Sequence, residues 1–148
     1  MQLSGTHLTQ AASTKVWRVL MDPAALSRII PAISKLEPLG ENAFRSFSEI
    51  NIGPVNSAFT GNLRLENIVE EKEFTLLLQQ NGKVGNANAN IHVVLTGING
   101  HSSELNFDGE VRLSGLMATI GNRVISGISN MLTKQFFTNL DQELNHSQ

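Results

Sequence analysis

Between residues 55 and 113 the chain alternates apolar and polar side chains in four successive runs. Val55, Ser57, Phe59, Gly61, Leu63 and Leu65 share one parity, and Asn56, Ala58, Thr60, Asn62, Arg64 and Glu66 take the other. The pattern recurs in Phe74/Leu76/Leu78, in Ala87/Ala89/Ile91/Val93/Leu95 and in Leu105/Phe107/Gly109/Val111/Leu113. Residues two apart lie on the same face of a strand, so each run reads as a strand with one buried and one wet face. Asn81-Gly82 and Asn99-Gly100 fall between runs, and Asn-Gly favours tight hairpins because both residues tolerate positive φ. An antiparallel meander is expected. Weaker strands near residues 3–9, 34–39 and 43–52 bring the sheet to about six to seven strands.

Helical signals flank this sheet. Ser13 is placed to cap a short helix carrying Val16, Trp17, Leu20 and Met21 on one side. Asp22-Pro23 reads as N-cap and first position of a second, Ala24 to Ile29, which Pro31 stops. Leu116/Met117, Ile120, Val124/Ile125, Ile128, Met131/Leu132, Phe136 and Leu140 then recur at three- and four-residue steps. A helix from about 115 to 144 would be roughly 45 Å long, long enough to cross the whole body of the protein. The fold class is therefore α+β. A curved antiparallel sheet wraps a long C-terminal helix, with two short helices after the first strand.

The whole chain, residues 1–148, reads as a single domain, since 148 residues is an ordinary domain length and no linker or repeat divides it. No Cys is present, which excludes disulfides, thiolate catalysis and Cys-based zinc sites. The net charge is −2, with Lys and Arg scattered singly rather than in the basic stripe of a nucleic-acid binder. The first residues lack a signal peptide's basic and apolar regions, and no apolar run approaches a membrane span. A soluble protein of the cytoplasm is expected.

Chemistry is sparse. The histidines His7, His92, His101 and His146 show no metal-binding spacing, so no metal and no cofactor are expected. Asp108 and Glu110 share a strand face, but it is the outer one, where a solvated pair is the simpler reading. Arg123, on the long apolar helix, suits an exposed position or a structural ion pair better than a ligand contact. Among inward positions only Ser48, Ser57 and Gln80 are polar, and none is a good general base near pH 7. Small residues share the inward parity: Ser57, Gly61, Ala87, Ala89 and Gly109, with Gly121 and Gly127 on the helix. They fit either a helix seated tightly on the sheet or unfilled space for a ligand. Trp17 likewise fits a core anchor or a ligand wall.

The chain resembles the G-subunit family of carbon monoxide dehydrogenase, within the START-like helix-grip (SRPBCC) superfamily. The stretches that carry the resemblance run in the family's order. They are Gly5, residues 16–26 (VWRVLMDPAAL), Ile30-Pro31, Ile52-Gly53-Pro54-Val55, Phe59-Thr60-Gly61, residues 82–87 (GKVGNA), residues 115–123 (GLMATIGNR) and Phe136-Phe137. Ala32 stands where the family usually has Gly, and Ser57 and Val84 replace other common glycines.

The resemblance implies an apolar cavity between sheet and helix. Its lining is expected from Trp17, Ile30, Phe59, Gly61, Leu78, Ala89, Ile91, Phe107, Met117, Ile120, Gly121 and Val124. It also implies a non-catalytic accessory protein that holds a hydrophobic, lipid-like or quinone-like molecule and serves a molybdenum-containing dehydrogenase. No nucleic-acid partner is implied. Some members of the family carry a membrane-associating tail beyond the helix. Here the sequence ends at Gln148, and Arg123 and Lys134 are the only bases of the helix's polar face, so at most peripheral association with the inner face of the membrane is expected. The competing readings are a cavity enzyme of the polyketide cyclase/aromatase type and an interaction module with a filled core.

Overall fold

The computed structural model describes residues 1–146. Seven strands form one antiparallel sheet in the order β1-β7-β6-β5-β4-β3-β2. The strands are β1 (Gln2–Thr9), β2 (Ile33–Gly40), β3 (Ala43–Ile52), β4 (Val55–Val69), β5 (Glu73–Gly82), β6 (Gly85–Asn99) and β7 (Ser102–Ser114). Two short helices, α1 (Ser13–Leu20) and α2 (Pro23–Ile29), carry the chain from β1 at one edge to β2 at the other. A 3-10 turn (Gly115–Thr119) precedes the long helix α3 (Asn122–His146). This is the architecture the alternating runs and the terminal periodicity require. Burial follows parity on β4, where Val55, Phe59, Gly61, Leu63 and Leu65 are buried and their neighbours from Asn56 to Arg64 face water.

Three local expectations are corrected. The long helix does not begin near residue 115. Gly115 takes φ +70°, and the Gly121 carbonyl accepts from the Val124 and Ile125 amides, so α3 starts at Asn122. At 25 residues it is about 37 Å long rather than 45. The Asn-Gly pairs precede the turns they announce, Asn81-Gly82 by two residues and Asn99-Gly100 by one. Gly82 pairs with Gly85, so Lys83-Val84 is the turn, and Asn99 pairs with Ser102 around Gly100-His101. Asn99 still shapes its turn, its Oδ1 accepting from the His101 amide at 2.7 Å. Ser13 is the first residue of α1 rather than its cap, a place taken by Ala12 without a side-chain bond. Asp22 caps α2, its carboxylate accepting from the Ala24 amide at 3.1 Å.

Among the described residues the buried apolar side chains form two clusters. One gathers α1, α2, the C-terminal end of α3 and the neighbouring strands around Val16, Leu20, Ile29, Leu63, Leu105 and Leu140. The other is Val55, Phe59 and Met117, with Ile120 and Ile128 against them. Only Ile125, Leu140 and Leu144 of α3 are fully buried. The helix packs chiefly against α1, α2 and β1 and stands off the middle of the sheet.

Candidate functional site

The space under α3 is a cavity of about 280 Å³ that takes walls from both clusters. Its floor is the inner face of β4 to β7, where Leu78 of β5 lies opposite Ala89 of β6, and Ala89 opposite Val111 of β7. Ala87 and Ala89 put only methyl groups where the flanking positions carry Ile91 and Val93, so the floor sinks at that point. Leu132, Phe136 and Phe137 of α3 form the roof, with Ile30 and Pro31 at the end of α2. Ala87, Ala89, Ile91 and Leu78 face inward yet are only half-buried, as side chains facing a hollow must be. None of the 28 lining residues is ionisable.

Seven of the twelve residues expected at this cavity line it: Ile30, Phe59, Leu78, Ala89, Ile91, Phe107 and Met117. Five do not. Trp17 is a core anchor, 7% exposed and edge-on to Phe74 with ring centroids 6.0 Å apart. Gly61 is a point of close approach, because a Cβ there would fall 1.7 Å from the Gln79 carbonyl oxygen. Ile120 packs beside Met117, while Gly121 and Val124 are exposed at the start of α3, where the break in the helix turns them outward.

Ser48 and Gln80 are the buried polar residues of the wall. The register explains their association. Gly61 of β4 lies between Ser46 of β3 and Gln80 of β5, and lacking a side chain it lets the Gln80 carboxamide reach across β4. Gln80 Nε2 donates to Ser46 Oγ and, at 2.8 Å, to the Gln79 carbonyl. Ser48 Oγ donates to Gln80 Oε1 at 2.8 Å. Ser129 and Thr133, one turn apart on α3, are the other polar lining residues.

A second polar group, unread in the sequence, sits behind the aromatic wall. His7 of β1 stacks on Phe137 with centroids 4.4 Å apart, and its Nε2 lies 3.0–3.1 Å from both carboxylate oxygens of Asp141. Thr9 Oγ1 donates to the same carboxylate at 2.8 Å. Phe137 lines the cavity and His7 does not.

His92 faces outward beside Glu73 and Asp108, and His101 and Arg123 are exposed. Glu110 pairs with Arg112 on the outer face, and the hydrogen bond from that guanidinium holds its carboxyl below the usual range. A wider depression of about 720 Å³ lies over that face, where polar and charged side chains such as Asn62, Arg64, Gln79 and Arg112 mix with Leu39, Phe44 and Leu77. Water satisfies its polar groups without help, so the smaller apolar cavity is the better candidate. Among the described residues no three His, Asp or Glu side chains gather as metal ligands would, and no helix is long and apolar enough to cross a membrane.

The family model for CoxG, the G-subunit of carbon monoxide dehydrogenase, matches residues 5–145. No curated protein matches the chain in sequence. Among solved structures, a conserved protein from Geobacillus kaustophilus superposes with TM-score 0.95 at 27% identity, covering 99% of this chain and 97% of that one. A START superfamily protein from Mycobacterium smegmatis gives TM-score 0.79 at 14% identity, covering 99% of each chain. The Zhui aromatase/cyclase from Streptomyces sp. R1128 gives 0.70 at 11%, covering 98% and 93%, a likeness of fold alone.

Proposed function

This chain belongs to the CoxG family, the G-subunit family of carbon monoxide dehydrogenase, and on that footing we propose that it is a non-catalytic binding protein for an apolar, lipid-like or quinone-like molecule. It acts as an accessory to a molybdenum-containing dehydrogenase in the cytoplasm, with at most peripheral contact with the inner face of the membrane. The observation that carries this reading is the apolar cavity under α3, with no ionisable residue in its wall. Burying a ligand's hydrocarbon there supplies affinity at about 25 cal/mol per Å². The volume, about 280 Å³, lies near the lower end of small-molecule pockets, roughly 300–1,000 Å³.

The alternative is a cavity enzyme of the cyclase/aromatase type, which needs an acid or base within reach of the bound molecule. The His7–Asp141 pair is the candidate, and Phe137 covers one face of the His7 ring. Turnover of an aromatic polyketide substrate, abolished by His7→Phe, would favour this alternative. Native mass spectrometry of protein purified from its own host tests the binder directly. An apolar small molecule released with the chain is the expected result. Bare chain that also fails to take up any apolar probe would contradict it.

A further inference from the structure

We infer that the molecule held in the cavity carries a hydrogen-bond donor, a hydroxyl, at the end that meets Gln80. Of the lipid-like and quinone-like molecules proposed above, that wall selects those ending in a hydroxyl, such as an alcohol, a phenol or the reduced hydroquinone, over a ketone, ester or oxidised quinone of the same shape. The inference rests on the binding role proposed above and names the chemical class of the ligand.

It follows from counting the hydrogens at the polar wall. A carboxamide has two donors on nitrogen and two acceptor sites on oxygen. Both Gln80 donors are engaged, one by Ser46 Oγ and one by the Gln79 carbonyl oxygen. The amide has a single workable orientation. Turned over, its Oε1 would face the Gln79 carbonyl oxygen, and neither atom carries a hydrogen. Oε1 therefore points away from Gln79, where it accepts the Ser48 hydroxyl proton at 2.8 Å. What remains for a ligand is the second lone pair of Gln80 Oε1 and the lone pairs of Ser48 Oγ. All are acceptors. An acceptor-ended ligand would have to take the Ser48 proton and strip Oε1 of its partner. It would then leave a buried acceptor unsatisfied, which a hydroxyl avoids. Ser129 and Thr133 also line the cavity, but their hydroxyls serve in either role and so do not discriminate.

The cavity of about 280 Å³ has room for about nine waters at about 30 Å³ each, and hence for an organic molecule of about ten heavy atoms. That size selects three probes of equal heavy-atom count: 2-naphthol (donor), 2-tetralone (carbonyl acceptor) and 2-methylnaphthalene (no polar atom). Each is titrated by calorimetry at about pH 7 into the wild type and into Ser48→Ala/Gln80→Leu, whose folding is checked by thermal melting. The expected result is that 2-naphthol binds the wild type at least tenfold tighter than 2-tetralone, equivalent to about 1.4 kcal/mol. The double variant should lose that preference while still binding 2-methylnaphthalene. If the double variant fails to fold, the wild-type ratio decides alone.

Equal affinities for 2-naphthol and 2-tetralone in the wild type, or a preference for the ketone, would overturn the donor inference and leave the binder standing. A preference that survives in the double variant would overturn its assignment to Gln80 and Ser48. Binding of none of the three would overturn the cavity reading, and this inference with it.

Discussion

The carbonyl oxygen of Gln79 stands 1.7 Å from where a Cβ on Gly61 would lie. The same oxygen accepts from the Gln80 carboxamide at 2.8 Å, so the missing side chain both admits the carbonyl and orients the polar wall. Gly61→Ala must displace backbone rather than a flexible side chain. A loss of about 1–3 kcal/mol, typical of overpacking, is expected in chemical unfolding. Unchanged stability would mean that the strands do not approach so closely.

Asp141 joins α3 to β1 through Thr9 and His7. Thr9 is buried, so Asp141→Ala leaves its hydroxyl without a partner and should cost about 1–3 kcal/mol. Asp141→Asn keeps an acceptor for Thr9 and should cost less. Equal losses for the two variants would show that the hydrogen bond to Thr9 contributes little.

The Arg28 guanidinium bonds the Glu143 carboxylate, Nε lying 3.1–3.2 Å from its oxygens, and ties α2 to α3. That hydrogen bond holds the Glu143 carboxyl below its ordinary value of 4.5. A carboxyl depressed on folding stabilises fully above its unfolded pKa and stops doing so as the pH falls through the folded one. Between about pH 5 and pH 3 the melting temperature of the wild type should therefore fall more steeply than that of Arg28→Gln. Parallel curves would refute the coupling. Glu110 is shifted in the same direction by Arg112 and contributes equally to both proteins.

Ala32 adopts φ +69° directly after Pro31, a left-handed conformation that suits glycine. Ala32→Gly relieves a strain of about 1–2 kcal/mol and adds some unfolded-state entropy. A small net rise in melting temperature is expected, and a fall would show that the entropy outweighs the strain.

What the sequence made legible was whatever depends on neighbours along the chain. Alternation over residues 55–65 and 105–113 located β4 and β7, and Asp22-Pro23 located the start of α2. What depended on distant neighbours stayed hidden. His7 and Asp141 are 134 residues apart, so no spacing rule links them. Gly61 fitted either close packing or empty space, because the carbonyl that fills its place belongs to another strand. Val124 kept the helical period of a buried face, but the break at Gly121 rotates that face into solvent, leaving it 42% exposed. Parity placed Ser48 and Gln80 on the inner face, while their bond to each other required the register.

The central claim is that the space under α3 takes an apolar molecule, and Ala89 stands on the floor of that space. The most direct test is the dissociation constant of 2-methylnaphthalene, measured by calorimetry for the wild type and for Ala89→Leu on preparations with matched unfolding midpoints. Trp17 is not in the wall, so its fluorescence is a poor reporter of occupancy. The leucine fills part of the cavity, so saturable binding to the wild type should weaken by about tenfold or more in the variant, a change of about 1.4 kcal/mol. The folded state should hold, because the added atoms enter free space rather than a packed core. Absence of saturable binding to the wild type, or equal affinity in the two proteins, would contradict the account.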